Sequence, residues 1–379
     1  MSKTYQAHGK LLLTGEYFVL DGAVAFALPT QLGQTMIVKP IKYPGLYWRS
    51  KFHNKNIWFS GVFKRDSLQY EHVTDSKIAQ RLQDIFKEIH RQQPDFFSTL
   101  GDSIIDTQLE FPHDWGLGSS STLLALLAQW SNTNPYLLLK NTFGGSGYDI
   151  ACAVANGPIF YKKNKEQVNV TPVDFKPTFQ EQLYFVYLGQ KQNSRLGIQR
   201  YREKVKTETR LVDDISAISQ AITEVSTLND FEKLLVEHEE IVARTLELPR
   251  AKNLYFSDYW GEVKSLGAWG GDFVLATSDR GDVFTKKYFN EKGFEVGLLC
   301  GGIATILFTS FMAVYMYQID TEFAAHIMEK WNLEYDLGTL MLVLSIFIMG
   351  LSTTLVLTLT FMQLLKKSWN TPDGNRNTL

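Results

Sequence analysis

The chain has 379 residues, a formal net charge of -2 at pH 7 and two cysteines. This length is sufficient for two ordinary domains, and the balanced charge gives no sign of a nucleic-acid partner. Cys152 and Cys300 lie far apart in unlike surroundings. A disulfide framework or a cysteine-based metal knuckle is therefore excluded.

The first part of the chain is predicted to be mainly β, beginning at Tyr5. Tyr17–Leu20 and Ala25–Leu28 predict two strands joined by a turn at Asp21 and Gly22. The periodicity then changes, because apolar residues recur at helical spacing along Ser76–Gln92. This part of the sequence therefore predicts a sheet with at least one amphipathic helix packed on it.

A glycine-rich turn lies between a predicted strand, Ile104–Phe111, and a predicted helix, Ser119–Asn132. A helix start has unpaired N–H groups and a partial positive charge, so it favours an anion. The segment predicts a phosphate-binding loop, and a serine-capped helix after a tight turn is the alternative. Its candidate phosphate-binding residues are Gly116, Leu117, Gly118, Ser119, Ser120 and Ser121.

The second part of the chain alternates predicted strands and helices, and its glycine turn at 267–271 precedes a strand at Phe273–Thr277. The amphipathic helices are predicted at Leu211–Ser226 and Asp230–Leu248. His238 lies on the apolar face of the second helix, so we expect a core histidine rather than a ligand.

Four segments stand in a fixed order along the chain: Ala7–Tyr17 (AHGKLLLTGEY), Pro112–Ser121 (PHDWGLGSSS), Gly145–Ala151 (GSGYDIA) and Leu266–Gly271 (LGAWGG). Together they resemble the GHMP kinases, a family named for galactokinase, homoserine kinase, mevalonate kinase and phosphomevalonate kinase. The Gly-Tyr-Asp-Ile-Ala run resembles the signature of one subgroup, and the first two segments are mevalonate kinase-like. The resemblance extends over about 3–296.

The resemblance implies an α+β, two-domain GHMP kinase fold. Residues 1–160 would form the N-terminal kinase domain with the phosphate loop, and 161–296 the C-terminal kinase domain. It also implies ATP and Mg²⁺ as cofactors and a small-molecule acceptor, whose hydroxyl group is phosphorylated; a mevalonate-like acceptor is favoured. Oligomeric state does not follow from the sequence.

The resemblance also assigns roles to individual residues. Asp149 matches the aspartate that takes or orients the proton of the acceptor hydroxyl, and Lys10 matches the lysine that neutralises developing charge. Ser120 matches a magnesium or phosphate contact, while Gly270 and Gly271 match the third phosphate-binding segment. Without the resemblance, the alternative interpretation of Asp149 is a carboxylate at a helix start, and that of Lys10 is a solvated lysine on a strand.

One departure from the family concerns the metal. The family has a magnesium-binding glutamate between the phosphate loop and the catalytic aspartate, whereas 122–148 contains no acidic residue. Glu16 is the nearest candidate carboxylate by motif. The alternative function is therefore a catalytically impaired, membrane-tethered nucleotide-binding or sensor protein.

The acceptor pocket is less specified by the sequence. Trp115, Tyr148, Trp269 and Asp272 flank the glycine turns and are candidates to line it. Simple packing is the alternative role for the aromatic residues. Arg195 and Arg200 lie in a polar stretch and are candidates to meet an acidic substrate.

The C-terminal part, 297–379, contains two uncharged runs, 297–319 and 337–365, each longer than the roughly 20 residues that cross a bilayer as a helix. We predict two transmembrane helices forming a hairpin in the lipid bilayer, with buried core helices as the alternative. Lysines flank the outer ends and acidic residues fill the connection, which predicts that both ends are cytoplasmic. The kinase would be membrane-anchored and cytoplasmic; a fusion to unrelated coding sequence is another explanation of the tail.

Overall fold

The structure is a computed structural model, and it describes residues 2–164, 167–189, 194–204, 209–267, 269 and 272–298. These residues form two sheets covered by helices.

The larger sheet has the strand order β5-β4-β3-β6-β2-β7-β8, with β1 paired to β2. Strands β3 and β6 run parallel, and the other neighbouring strands run antiparallel. Its strands are β1 Lys3–Thr14, β2 Ala25–Pro40, β3 Leu46–Lys51, β4 Ile57–Phe63, β5 Tyr70–Glu71, β6 Ser103–Leu109, β7 Ile159–Asn164 and β8 Gln167–Pro172. The sheet therefore includes residues on both sides of position 160, and the two-domain division stays a prediction.

Helices from the same part of the chain cover this sheet. They are α1 Ser76–Gln92, α2 Phe96–Thr99, α3 Ser119–Ser131, α4 Pro135–Thr142 and α5 Tyr148–Val154. The Asp75 side chain caps α1 by accepting two backbone N–H bonds. The helices bury their apolar faces in one core with Trp48, Phe63 and Phe86, and this core holds α3 and α5 in place beneath the candidate site.

The smaller sheet is antiparallel, with the order β10-β11-β9-β12. Its strands are β9 Leu183–Tyr187, β10 Val263–Leu266, β11 Phe273–Thr277 and β12 Glu295–Leu298, and the helices near it in sequence are α6 Ser194–Lys204, α7 Thr209–Ala221, α8 Leu228–Leu246, α9 Ala251–Tyr255 and α10 Gly281–Glu291. One apolar cluster joins Leu11 and Phe26 of the larger sheet to Phe185 and Leu275 of the smaller sheet and to Phe231 of α8. The two sheets therefore share a core.

The predicted strand at Tyr17–Leu20 is wrong, because Phe18–Asp21 forms a short 3₁₀ turn. Tyr17 has a φ of 62° and Gly22 a φ of 94°, so the backbone turns at both ends of the segment. Both Phe18 and Val19 are buried. A turn can bury two consecutive side chains, whereas a half-buried strand would point one of them to solvent.

No helix among the described residues is long and apolar enough to span a membrane. The predicted transmembrane helices, 297–319 and 337–365, lie outside the described residues except at the first two positions of the first helix. Gly297 and Leu298 belong to β12 and pair with Phe185 and Tyr184 of β9. The predicted start of the first span is therefore wrong, since its backbone there is used by the sheet, and the remainder of the hairpin stays a prediction.

Candidate active site

One cavity of about 320 Å³ brings together several of the residues that the sequence singled out. Lys10, the segment 116–121 and Asp149 all line it. They come from β1, from the turn before α3 together with its first residues, and from the first turn of α5. A lysine, a helix start and a carboxylate therefore face the same space.

The predicted phosphate loop, 116–121, owes its shape to glycine. Gly116 and Gly118 have φ values of 64° and 91°, a region that side chains with a Cβ rarely adopt. A Cβ on Gly116 would overlap the carboxylate of Asp272, which packs directly against the loop. Gly118 caps α3 without any described side-chain hydrogen bond. The first amides of α3 are thus available to an anion.

The three serines that open α3 differ in exposure. Ser119 is half-buried and Ser120 is exposed, and both line the cavity. Ser121 is buried, and its hydroxyl donates to the carbonyl of Gly118 over 2.7 Å. Ser120 is therefore the hydroxyl most open to a ligand. Ser121 instead contacts the loop and the carboxylate of Asp149.

Lys10 connects β1 to the phosphate loop. Its backbone N–H donates to the Leu117 carbonyl and its ammonium donates to the Gly116 carbonyl, each over 3.0 Å. The ammonium also lies 5.7 Å from the centre of the Tyr148 ring. The positive charge is therefore held at the loop by a neutral carbonyl.

Asp149 is placed by the turn that precedes α5. Gly147 has a φ of 94° and begins the helix, and a Cβ there would come within 3.0 Å of the Tyr161 hydroxyl. Tyr161 in turn donates to the carbonyl of Ser146 over 2.6 Å. These contacts fix the helix start, so the carboxylate side chain faces the cavity.

Burial raises the pKa of Asp149 above its ordinary value, and the charge of Lys10 and a hydrogen bond from Ser121 act in the opposite direction. Lys10 and Asp149 form no ion pair within 4.0 Å in the part of the chain that the structure describes. Lys10 therefore influences the carboxylate through space. A carboxylate with a raised pKa is a better proton acceptor than an exposed one.

Glu16, the candidate metal carboxylate, does not line the cavity in the part of the chain that the structure describes. It is 1 % exposed, and its two oxygens lie 2.5 Å from Lys264 Nζ and 3.1 Å from His238 Nε2. Burial raises the pKa of Glu16 to about 6, against the lowering effect of Lys264. Glu16 therefore has its partners, Lys264 and His238, in the protein interior and not at the predicted phosphate loop.

The oxygen donors of the cavity fit Mg²⁺ when the nucleotide supplies part of the coordination. The described residues contain no group of three His, Cys, Asp or Glu side chains that could hold a metal ion. Ser120, Asp149 and Asp272 line the cavity with a hydroxyl and two carboxylates. Mg²⁺ commonly takes one or two carboxylates together with phosphate oxygens and water, so this donor set is adequate.

Other predicted site residues are distributed differently. Gly270 and Gly271 lie outside the described residues, and so does the side chain of Arg195. Tyr148 and Asp272 line the cavity as predicted for the acceptor pocket. Trp115 instead packs on Tyr187 and Phe273 with centroid distances of 5.9 Å and 5.6 Å.

Two further candidates for the acceptor pocket serve the fold. Trp269 is 8 % exposed and donates from its indole nitrogen to the Pro249 carbonyl. The Arg200 guanidinium donates to the carbonyls of Leu246 and Glu247 at the end of α8. In these contacts Arg200 satisfies a helix terminus rather than an acidic ligand.

The sequence did not single out the apolar wall of the cavity. Its members come from the 3₁₀ turn, from α4 and from α6, and they include Tyr17, Val19, Leu20, Leu139, Phe143 and Ile198. Gly144 and Gly145 extend this wall. Of these residues, Tyr17 and Gly145 left a signal in the sequence, as members of the segments Ala7–Tyr17 and Gly145–Ala151.

No protein-family model matches this chain, and no curated protein matches it. Its structure is similar to that of the Methanococcus jannaschii mevalonate kinase, with a TM-score of 0.58, 15% identity and coverage of 78% of this chain and 96% of that chain. It is also similar to the L. major mevalonate kinase in complex with R-mevalonate, with a TM-score of 0.52, 16% identity and coverage of 76% and 90%. A third similar structure is the Streptococcus pneumoniae phosphomevalonate kinase in complex with phosphomevalonate and AMPPNP, with a TM-score of 0.55, 17% identity and coverage of 79% and 98%.

These neighbours are GHMP kinases, and the similarity shows that the described part of the chain has their fold. The resemblance predicted from the four sequence segments is thereby confirmed at the level of the fold.

Proposed function

We propose that this chain is an ATP-dependent kinase that phosphorylates a hydroxyl group of a small molecule. The observation that carries the proposal is the convergence of Lys10, the phosphate loop and Asp149 on one cavity. Phosphoryl transfer depends mainly on positioning and on neutralising charge. The start of α3 and Lys10 can neutralise charge on the phosphates, and Asp149 can position the acceptor hydroxyl.

In this mechanism the amides at the start of α3 and the hydroxyl of Ser120 bind the anionic end of ATP. Asp149 accepts or orients the proton of the acceptor hydroxyl, because burial raises its pKa toward the range useful for a base. Lys10 neutralises charge that develops on the transferred group. Ser120 and the carboxylates of Asp149 and Asp272 would hold Mg²⁺, which would supply further charge neutralisation on the phosphates.

We further propose a mevalonate-like acceptor, meaning a small aliphatic alcohol. Two observations support this choice: the similar structures include kinases crystallised with R-mevalonate and with phosphomevalonate, and apolar side chains form part of the cavity wall. The predicted C-terminal hairpin would hold such an enzyme at the bilayer with its site on the cytoplasmic, ATP-containing side.

The test is turnover of ATP by the purified full-length chain with a panel of small alcohols that includes R-mevalonate. Asp149→Asn should lower kcat roughly a hundredfold to ten-thousandfold, the usual contribution of general-base catalysis. The matched control is Asp174→Asn, because that carboxylate is 81% exposed and pairs only with Lys176 among the described salt bridges.

The alternative is a nucleotide-binding sensor that does not transfer phosphate, and the absence of acidic residues from 122–148 favours it. Nucleotide binding that is independent of Mg²⁺, without turnover of any acceptor in the panel, would support the sensor. Turnover that survives Asp149→Asn unchanged would contradict the proposed role of the carboxylate.

A further inference from the structure

A buried cluster of charged residues holds the turn that precedes the 3₁₀ segment. The backbone N–H of Gly15 donates to His238 Nε2 over 2.9 Å. The next residue, Glu16, accepts from Lys264 Nζ over 2.5 Å and lies 3.1 Å from the same His238. Both partners come from the second half of the chain, His238 from α8 and Lys264 from β10.

The third residue of the turn, Tyr17, lines the candidate cavity. Its hydroxyl accepts from the backbone N–H of Trp269 over 2.9 Å, and its ring stacks on Tyr201. Gly197 of α6 leaves room for it, since a Cβ at that position would overlap the Tyr17 hydroxyl. With a φ of 62°, Tyr17 adopts a backbone conformation that is rare for an aromatic residue. Such a conformation persists only where the surrounding contacts enforce it.

Lys264 is the centre of this cluster. It is fully buried, and besides Glu16 its ammonium contacts the Ser265 carbonyl over 2.8 Å and lies 3.9 Å from a Glu239 oxygen. An ammonium enclosed in protein requires compensating partners, and their loss is costly. The cluster therefore fixes Glu16 in one place.

We propose that Lys264 is a positioning residue for the acceptor: by holding Glu16 it fixes the turn 15–17 and keeps Tyr17 on the wall of the cavity. The proposal rests on the kinase function proposed above. The phosphate loop takes the anionic end of the nucleotide, which leaves the Tyr17 side of the wall to the acceptor. Lys264 itself is not among the residues that line the cavity.

The test uses the full-length double variant Lys264→Met/Glu16→Gln. Removing Lys264 alone would leave an unpaired buried carboxylate and could unfold the protein, whereas the double variant removes both charges together. Glu16→Gln alone serves as a second, milder variant. The matched control is Arg49→Met/Asp106→Asn, which removes a bidentate ion pair in β3 and β6 that does not line the cavity.

Two measurements are made on each variant. The first is the KM for R-mevalonate and for ATP. We expect the KM for the acceptor to rise at least about tenfold, since small displacements of a substrate-positioning group have effects of this order, and the KM for ATP to stay unchanged. The second is amide hydrogen exchange over 15–20, which we expect to become faster in the double variant and to stay unchanged in the control.

The two measurements separate failure of this inference from failure of the proposed function. If no acceptor is phosphorylated, the exchange measurement still tests whether Lys264 fixes the turn. Unchanged exchange over 15–20 would overturn the proposal. A rise in the KM for ATP, with the KM for R-mevalonate unchanged, would equally overturn it by placing Tyr17 on the nucleotide side.

Discussion

Ser121 lies between the phosphate loop and the proposed base. Its hydroxyl is within 2.7 Å of the Gly118 carbonyl, and it also forms a hydrogen bond with Asp149 that lowers the pKa of that carboxyl. A hydroxyl has a single proton to donate. When Asp149 is ionised, the charged oxygen is the stronger acceptor, so Ser121 stabilises the ionised form that a base requires.

The Ser121→Ala variant tests this contact. Loss of the hydrogen bond should raise the pKa of Asp149 further, because only the lowering contribution is removed. The acid limb of the kcat/KM profile for the acceptor should therefore move to higher pH. The comparison is Ser120→Ala, which should change the KM for nucleotide without moving that limb. An unmoved acid limb in Ser121→Ala would contradict the contact.

At the scale of residues, Lys10 and Asp149 were predicted because each belongs to a short segment that resembles a GHMP kinase motif, and both line the same cavity. Lys264 left no comparable signal. Its partner Glu16 lies 248 positions away in the sequence. Only the fold shows that this strand lysine is buried and paired.

The proposed nucleotide binding depends on one element, the start of α3. Gly118 combines a φ of 91° with close neighbours: a Cβ there would lie 2.6 Å from Ser121 Oγ and 3.2 Å from Lys10 Cγ. The helix start can be this close to β1 only because the residue has no side chain. The distance between the loop and the lysine is thus set by a glycine.

The Gly118→Ala variant should lower the free energy of unfolding by about 1–2 kcal/mol, the cost of a left-handed conformation for a residue with a Cβ. It should also weaken ATP binding, since the new methyl group displaces Ser121 or Lys10. Urea unfolding and ATP titration measure the two effects. Gly101→Ala is the matched control, because nothing lies within 4 Å of the Cβ position there. Equal stability of the two variants would contradict the argument.

The elements that the sequence predicted well are those with a strong local pattern. Helix α1 has a capping aspartate, Asp75, and a continuous apolar face, and its observed bounds match the predicted ones. Helix α4 was not predicted, because a short segment beginning at Pro135 has too few turns to show a periodicity. The segment Tyr17–Leu20 was misassigned for a related reason, since four apolar residues in a row fit a strand or a buried turn equally well.

At the scale of the whole molecule, ionisable groups are buried where the two sheets share a core. Glu16 comes from the turn after β1, His238 and Glu239 from α8, and Lys264 from β10, and each is at most 1 % exposed. Burial lowers the pKa of His238 well below its ordinary value, with Lys264 adding to the effect. At neutral pH the histidine is therefore neutral, and Lys264 is left to balance the carboxylate of Glu16.

The predicted hairpin concerns the part of the chain beyond this core. Hydropathy alone predicted that the hairpin begins at Gly297. A strand and a membrane helix can start with the same apolar residues, so hydropathy does not distinguish them at this position. Pairing of β12 with β9 uses the backbone as far as Leu298. Long-range pairing of this kind cannot be read from a local run of apolar residues.

The raised pKa values of the buried carboxylates predict how the free energy of unfolding depends on pH. Burial raises the pKa of Glu239 to about 8, with Lys264 opposing and Glu16 adding to the shift. Between its unfolded pKa near 4.5 and this value, the folded state binds more protons than the unfolded state. The free energy of unfolding should therefore fall as pH rises through this window, by up to about 1.4 kcal/mol per pH unit for one group.

Glu239→Gln removes this titration but keeps the shape of the side chain. Urea unfolding of the full-length protein at pH 5, 6, 7 and 8 should show a smaller loss of stability toward pH 8 in the variant than in the wild type, at roughly the slope that one titrating group contributes. Glu240→Gln changes an exposed neighbour on the same helix and should leave the slope unaltered. The carboxyl of Glu16, whose pKa is raised to about 6, continues to titrate in both variants. Parallel slopes for Glu239→Gln and the wild type would mean that Glu239 is already ionised within the folded protein, and that Lys264 is then shared between two charged carboxylates.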